Sequence, residues 1–118
     1  RKSLPYLRII KAVHVMDMSA VQTAQREAAY ADAIILDTRT HDRLGGTGLT
    51  HDWSISAKIV ESVEIPVILA GGLTPENVAS AIRQVRPYAV DVHTGVKKND
   101  VRDALKTKAF VRAAHTAV

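Results

Sequence analysis

Residues 66–96 read PVILAGGLTPENVASAIRQVRPYAVDVHTGV. A short apolar run, a glycine pair, a helical stretch, a second short apolar run and another glycine follow one another. That order predicts a strand–helix–strand unit with a polar loop at the end of each strand. Thr74, Pro75 and Glu76 suit a helix start: a capping hydroxyl, a proline at the first position and a carboxylate near the positive end of the dipole. Glycines where a strand gives way to a helix let bare backbone approach an anion, and free N–H groups there point at it. The stretch therefore predicts a phosphate grip in an α/β protein.

The same alternation extends towards the N-terminus. Residues 7–15, LRIIKAVHV, predict a buried strand. Ser19 is a candidate cap for a helix over 20–30 with Val21, Ala24 and Ala28 on one face. Residues 33–36, AIIL, predict a second strand ending in Asp37, and a glycine-rich loop, TRTHDRLGGTGLT, fills 38–50. Thr50 or Asp52 caps a helix to about residue 62 that turns Ile55, Ile59 and Val63 inward. The third strand is 67–70, and its helix runs to about residue 84 with Val78, Ala81, Ile82 and Val85 inward. Residues 88–93 predict a fourth strand. A basic irregular piece leads to a last helix over 101–114 that uses Leu105, Ala109 and Phe110.

Four consecutive βα units with apolar strands predict a parallel sheet with right-handed crossovers. The fold class expected is α/β, a parallel (βα)4 half of a TIM (βα)8 barrel, with 1–118 as one half-barrel. A small doubly wound sheet is the lesser alternative. An open four-stranded sheet has two unpaired edges and a bare face, so a partner is expected. Because the chain opens on Arg1, an N-terminal half preceding it is favoured over a second copy of the chain.

Composition narrows the function classes. At 118 residues the chain is one domain at most, and 47% apolar residues are too many for disorder. No apolar run approaches the roughly 20 residues of a membrane span, so no membrane partner is expected. The absence of cysteine excludes disulfides and thiolate metal sites. A cytoplasmic location fits. The formal charge of +4 suits an anionic ligand. With aromatics at 4% there is no base-stacking platform, so nucleic acid is not an expected partner, despite Lys97, Lys98, Arg102, Lys106, Lys108 and Arg112. The histidines include His41 and His51 beside the glycine loop and His14 and His93 at strand ends, but no pair has the helical spacing of a zinc site. Neither metal nor cofactor is expected. Gly45, Gly46, Thr47 and Gly48 lack the following Gly-Lys-Ser/Thr of a nucleotide P-loop.

Three blocks carry a resemblance: ILDTRTHDRLGGTGLTHDW, the stretch at 66–96, and KTKAFV. Together they resemble the C-terminal half of phosphoribosylanthranilate isomerase of tryptophan biosynthesis, a (βα)8 barrel. The resemblance begins near Ile10 and reaches the C-terminus. It implies an Amadori rearrangement of N-(5′-phosphoribosyl)anthranilate on barrel strands five to eight. It makes Asp37 the general acid on the ribose ring oxygen. It assigns Gly71 and Gly72 to the phosphate loop, with Thr94 and Gly95 completing the cup, and gives Asp91 to the substrate hydroxyls. Gly46 falls in a loop over the ribose phosphate or anthranilate. A strand-end aspartate capping local N–H groups, a plain tight turn and a buried structural carboxylate are the ordinary alternatives for Asp37, Gly71–Gly72 and Asp91.

The chain also departs from the family pattern. The usual SSGVE is HTGVK here; Leu49 replaces a lysine and His51 an aromatic residue. The family's general base, a cysteine, and its anthranilate-binding arginine belong to the N-terminal half. The chain alone is therefore expected to bind a phosphorylated ligand without isomerising it. The other reading is a self-associating phosphate-binding module without catalysis.

Overall fold

A computed structural model describes residues 7–38, 50–92, 97–98, 101–102 and 104–117. The order is β1 (Ile10–Val15), α1 (Ser19–Ala28), β2 (Ala33–Thr38), α2 (Trp53–Ser62), β3 (Val67–Leu69), α3 (Val78–Val85), β4 (Ala89–Val90), β5 (Lys97–Lys98), β6 (Val101–Arg102) and α4 (Ala104–Thr116). Strands β1 to β4 form one sheet in sequence order, each parallel to the next. Parallel neighbours need a crossover, and right-handed crossovers between successive strands put every helix on the same face. The helices pack in that order, α1 on α2, α2 on α3 and α3 on α4.

The two-residue period of the strands sorts their side chains between the faces. Val13, Val15, Ile34, Leu36, Val67 and Leu69 lie buried under the helices. They meet Ala20 and Ala24 of α1, Ile55 and Ile59 of α2, Val78, Ala81 and Val85 of α3, and Phe110 of α4 in one core. The intervening residues Ala12, His14, Ala33, Ile35, Asp37 and Ile68 are less buried and belong to the other face. This is the (βα)4 arrangement expected from the sequence.

Local details differ from expectation. Ser19 does not cap α1: Met18 holds the N-cap position without a side-chain cap bond, and the Ser19 N–H donates to Asp17 Oδ1 at 2.9 Å. Helix α3 starts at Val78, later than the proline suggests. Thr74 and Asn77 tie the preceding turn reciprocally: the Thr74 N–H donates to Asn77 Oδ1 at 2.8 Å and the Asn77 N–H to Thr74 Oγ1 at 3.2 Å. The fourth strand is only Ala89–Val90, because its ladder to β3 is that short. Residues 97–98 and 101–102, expected as irregular chain and helix start, pair antiparallel instead. Helix α4 therefore begins at Ala104 and presents Phe110, Ala113 and Ala114 to the core, while Leu105 and Ala109 are exposed.

Candidate functional site

The site begins where the strands end. Register places His14 of β1 opposite Asp37 of β2. The Ala70 N–H donates to the Leu36 carbonyl at 2.8 Å, and the Asp91 N–H donates to that of Leu69 at 2.9 Å. The ladders thus continue one residue beyond β3 and β4. His14, Asp37, Ala70 and Asp91 form one row across the sheet at the strands' C-terminal ends. In α/β sheets that end is where ligands bind.

Asp37 is half-buried. Its Oδ1 accepts the Thr38 N–H at 2.8 Å, and Oδ2 makes no hydrogen bond to a described residue. One oxygen is thus held locally and the other has no partner among the described residues. The capping alternative accounts for the first oxygen only.

Gly71 stands directly beside this carboxylate. A Cβ at Gly71 would overlap Thr38 Oγ1 and lie 2.6 Å from Thr38 N and 2.8 Å from Asp37 Oδ1. Its φ is 93° and that of Gly72 is 71°, conformations that L side chains rarely adopt. The N–H groups of both glycines donate to no described residue, which leaves them for an anion. Asn77 holds the turn in shape, with its Nδ2 donating to the Gly72 carbonyl at 3.0 Å. The Thr74 and Asn77 N–H groups are satisfied by the reciprocal pair, whereas those of Gly71 and Gly72, like those of Leu73 and Glu76, donate to no described residue.

Asp91 shares the row but is exposed, not the buried structural carboxylate considered as its alternative. It borders a cleft of about 530 Å³ beside β4, lined also by Ile82, Tyr88, Val92, Phe110 and Ala114. Gly46, Thr94 and Gly95 lie outside the described residues, as do His41 and His93. Among the described residues no group of three metal-ligating side chains occurs.

One network was not visible from sequence. His51 Nδ1 lies 3.0 Å from Thr38 Oγ1, and its Nε2 lies 2.6 Å from Ser56 Oγ. Thr38 and Ser56 are buried, so His51 links the end of β2 to α2 inside the fold. A neutral imidazole donates at one nitrogen and accepts at the other, and each hydroxyl can supply the complement. Burial pushes the His51 pKa down, against smaller upward effects of Asp37 and Asp52. Asp52, at the start of α2, accepts the Ser54 N–H at 2.9 Å, which makes it the cap of that helix.

Comparison with known proteins agrees with this fold. A family model described as N-(5′phosphoribosyl)anthranilate (PRA) isomerase matches residues 1–113. The chain is 50% identical over 117 residues to N-(5′-phosphoribosyl)anthranilate isomerase 2 of Methanosarcina mazei, a match covering 97% of this chain and 52% of that one. The crystal structure of phosphoribosyl anthranilate isomerase from Thermotoga maritima superposes with a TM-score of 0.79 at 36% identity, covering 94% of this chain and 53% of the other. A structure of the isomerase in complex with reduced 1-(o-carboxyphenylamino)-1-deoxyribulose 5-phosphate superposes with a TM-score of 0.73 at 33% identity, covering 93% and 50%. The chain spans about half the length of these relatives.

Proposed function

The chain belongs to the N-(5′-phosphoribosyl)anthranilate isomerase family, and from that premise we propose that it supplies strands five to eight of such an enzyme, the C-terminal half of the barrel. In this reading it carries the general acid and the phosphate grip for the Amadori rearrangement of N-(5′-phosphoribosyl)anthranilate in tryptophan biosynthesis. A cytoplasmic location goes with that biosynthetic role. No helix among the described residues is long and apolar enough to cross a membrane.

The observation that carries the reading is the contact between Gly71 and Asp37. The glycine turn has free N–H groups for a phosphate, and it packs against a carboxylate with a free oxygen. Asp37 Oδ2 protonates the ribose ring oxygen as the C–O bond opens. The backbone of Gly71 and Gly72, with Thr94 and Gly95, holds the 5′-phosphate, and Asp91 accepts hydrogen bonds from ribose hydroxyls. Gly46 is assigned to contact with the ribose phosphate or anthranilate. Fixing the phosphate and the ring oxygen relative to one acid is the positional part of catalysis.

The general base and the family's anthranilate-binding arginine come from an N-terminal half-barrel. The chain alone is then a binder and not a catalyst. The test is rescue of a tryptophan auxotroph lacking this isomerase, by the chain alone and by the chain expressed with the N-terminal half of the Methanosarcina mazei relative. Growth with both halves and not with either alone supports the reading. No growth with soluble chain and both halves present overturns it. Among the described residues β1 and β4 are the two edges of the sheet, which favours one other reading, a non-catalytic module completed by a second copy. A stable dimer that binds phosphate but gives no rescue would support that reading.

A further inference from the structure

We infer that His14 contacts the aglycone of the substrate and helps to determine which phosphoribosyl amine the site accepts. The inference rests on the proposed function and extends it to a residue that the mechanism leaves unused.

The first observation is order along the sheet. The phosphate-binding turn follows β3, the general acid stands on β2, and β1 is the next strand outward. In the substrate the phosphate is at one end of the ribose, and the ring oxygen is bonded to the carbon that bears the amine. A ribose with its phosphate at Gly71–Gly72 and its ring oxygen at Asp37 therefore directs its aglycone towards β1. His14 is the residue of β1 paired with Asp37. Adjacent strands lie about 4.8 Å apart, so the two side chains border neighbouring positions on a ligand.

The second observation is the state of the side chain. His14 falls between the buried residues Val13 and Val15, which places it on the face away from the helices, with Asp37. Its Nδ1 is enclosed and has no hydrogen-bond partner among the described residues. A buried polar atom without a partner costs stability, and an aliphatic residue would fill the position at less cost. The fold therefore makes no use of the imidazole as a polar group. With Nδ1 enclosed, Nε2 is the nitrogen available to a ligand. The aglycone in this family is an aromatic amine with a carboxylate. An imidazole offers that group a donor to the carboxylate and a flat surface to the ring.

The inference is tested by titrating the 118-residue chain with two probes, followed by amide chemical shifts. The first is ribose 5-phosphate. The second is reduced 1-(o-carboxyphenylamino)-1-deoxyribulose 5-phosphate, which keeps the aryl carboxylate. Changing His14→Leu, which keeps the bulk, should weaken the aryl probe about tenfold and leave ribose 5-phosphate unchanged. His14→Gln, with an amide near the place of Nε2, should recover most of the loss. Equal affinity of His14→Leu and the parent chain for the aryl probe overturns the inference and leaves the phosphate site intact. Equal weakening of both probes in His14→Leu also overturns it, since the residue would then act through the whole site. Failure of the parent chain to bind either probe overturns the phosphate reading and the inference with it. Thermal melts confirm that the variants fold, and His14→Ala, expected to weaken the aryl probe alone in the same way, carries the test if His14→Leu does not fold.

Discussion

Gly71 packs against Asp37 so closely that a methyl group at Gly71 would lie 2.8 Å from Asp37 Oδ1. The turn after β3 and the carboxylate on β2 are packed together, so bulk added at Gly71 falls on Asp37 and Thr38. Gly71→Ala would introduce that clash, a second one with the Thr38 backbone and an unfavourable positive φ. It should destabilise the chain by about 2–3 kcal/mol. Urea denaturation checks the stability. Amide shifts of Thr38 should move in the same variant, because the collision falls on its N and Oγ1.

Asp37→Asn should leave the fold nearly unchanged, within about 1 kcal/mol. The asparagine Oδ1 can still accept the Thr38 N–H. The amide cannot deliver a proton, so turnover of the assembled enzyme should fall by about 10²–10⁴-fold. Binding of ribose 5-phosphate to the chain should persist, which separates the acid from the grip. Loss of phosphate binding in this variant would show instead that Asp37 shapes the turn.

His51 gives the fold a defined acid sensitivity. Burial lowers its folded pKa below the ordinary 6.5. The unfolded chain therefore takes up a proton first as pH falls. The stability that depends on neutral His51 is fully present above about pH 6.5 and is lost progressively as pH drops towards the folded pKa. Asp17 and Asp52 also have lowered pKa values, caused first by hydrogen bonds from Ser19 and Ser54 side chains. They titrate at more acidic pH, below their ordinary 3.8, and do not obscure the histidine window. Melting temperatures of the parent chain should fall as pH is lowered from about 7.5 to about 5, and those of His51→Phe should be flatter.

At neutral pH the same His51→Phe change should cost about 1–3 kcal/mol, since the buried hydroxyls of Thr38 and Ser56 lose their shared partner. Replacing both hydroxyls as well, with Thr38→Val and Ser56→Ala, should recover part of that loss. A double-mutant cycle in urea measures the coupling.

Arg86 ends α3 at φ 57° and ψ 53°, a left-handed conformation, with its N–H on the Ile82 carbonyl at 2.8 Å. Such a cap favours glycine. Arg86→Gly should stabilise the chain by about 0.5–1 kcal/mol, read as an increase in melting temperature.

Much of this arrangement was legible in the sequence because it depends on local period. The apolar strands around Ile34, Leu36, Val67 and Leu69 and the helix faces of Ile55, Ile59, Val78 and Ala81 follow from spacing alone. Asp37 was legible as the polar residue where an apolar strand stops, and Gly71 as a turn that needs positive φ. The His51 network was hidden, because Thr38 and His51 are 13 positions apart and meet only when α2 packs on β2. On α4 only Phe110 of the expected stripe was legible, since Leu105 and Ala109 are exposed and Ala113 and Ala114 pack on the core in their place. The start of α1 was not legible from Ser19, because its N–H and hydroxyl both donate to Asp17 Oδ1 and Ser19 is the first helical residue, not the cap. The role of Asn77 depended on a carbonyl at Gly72 that no periodicity marks.

The most direct test of Asp37 as the acid of a half-barrel enzyme is the rate at which N-(5′-phosphoribosyl)anthranilate is rearranged by the chain mixed with the N-terminal half of the Methanosarcina mazei relative, with parent and Asp37→Asn chains compared. The expected result is turnover with the parent chain, none with either half alone and a loss of about 10²–10⁴-fold with Asp37→Asn. Turnover by the chain alone, or equal turnover with Asp37→Asn, would contradict it.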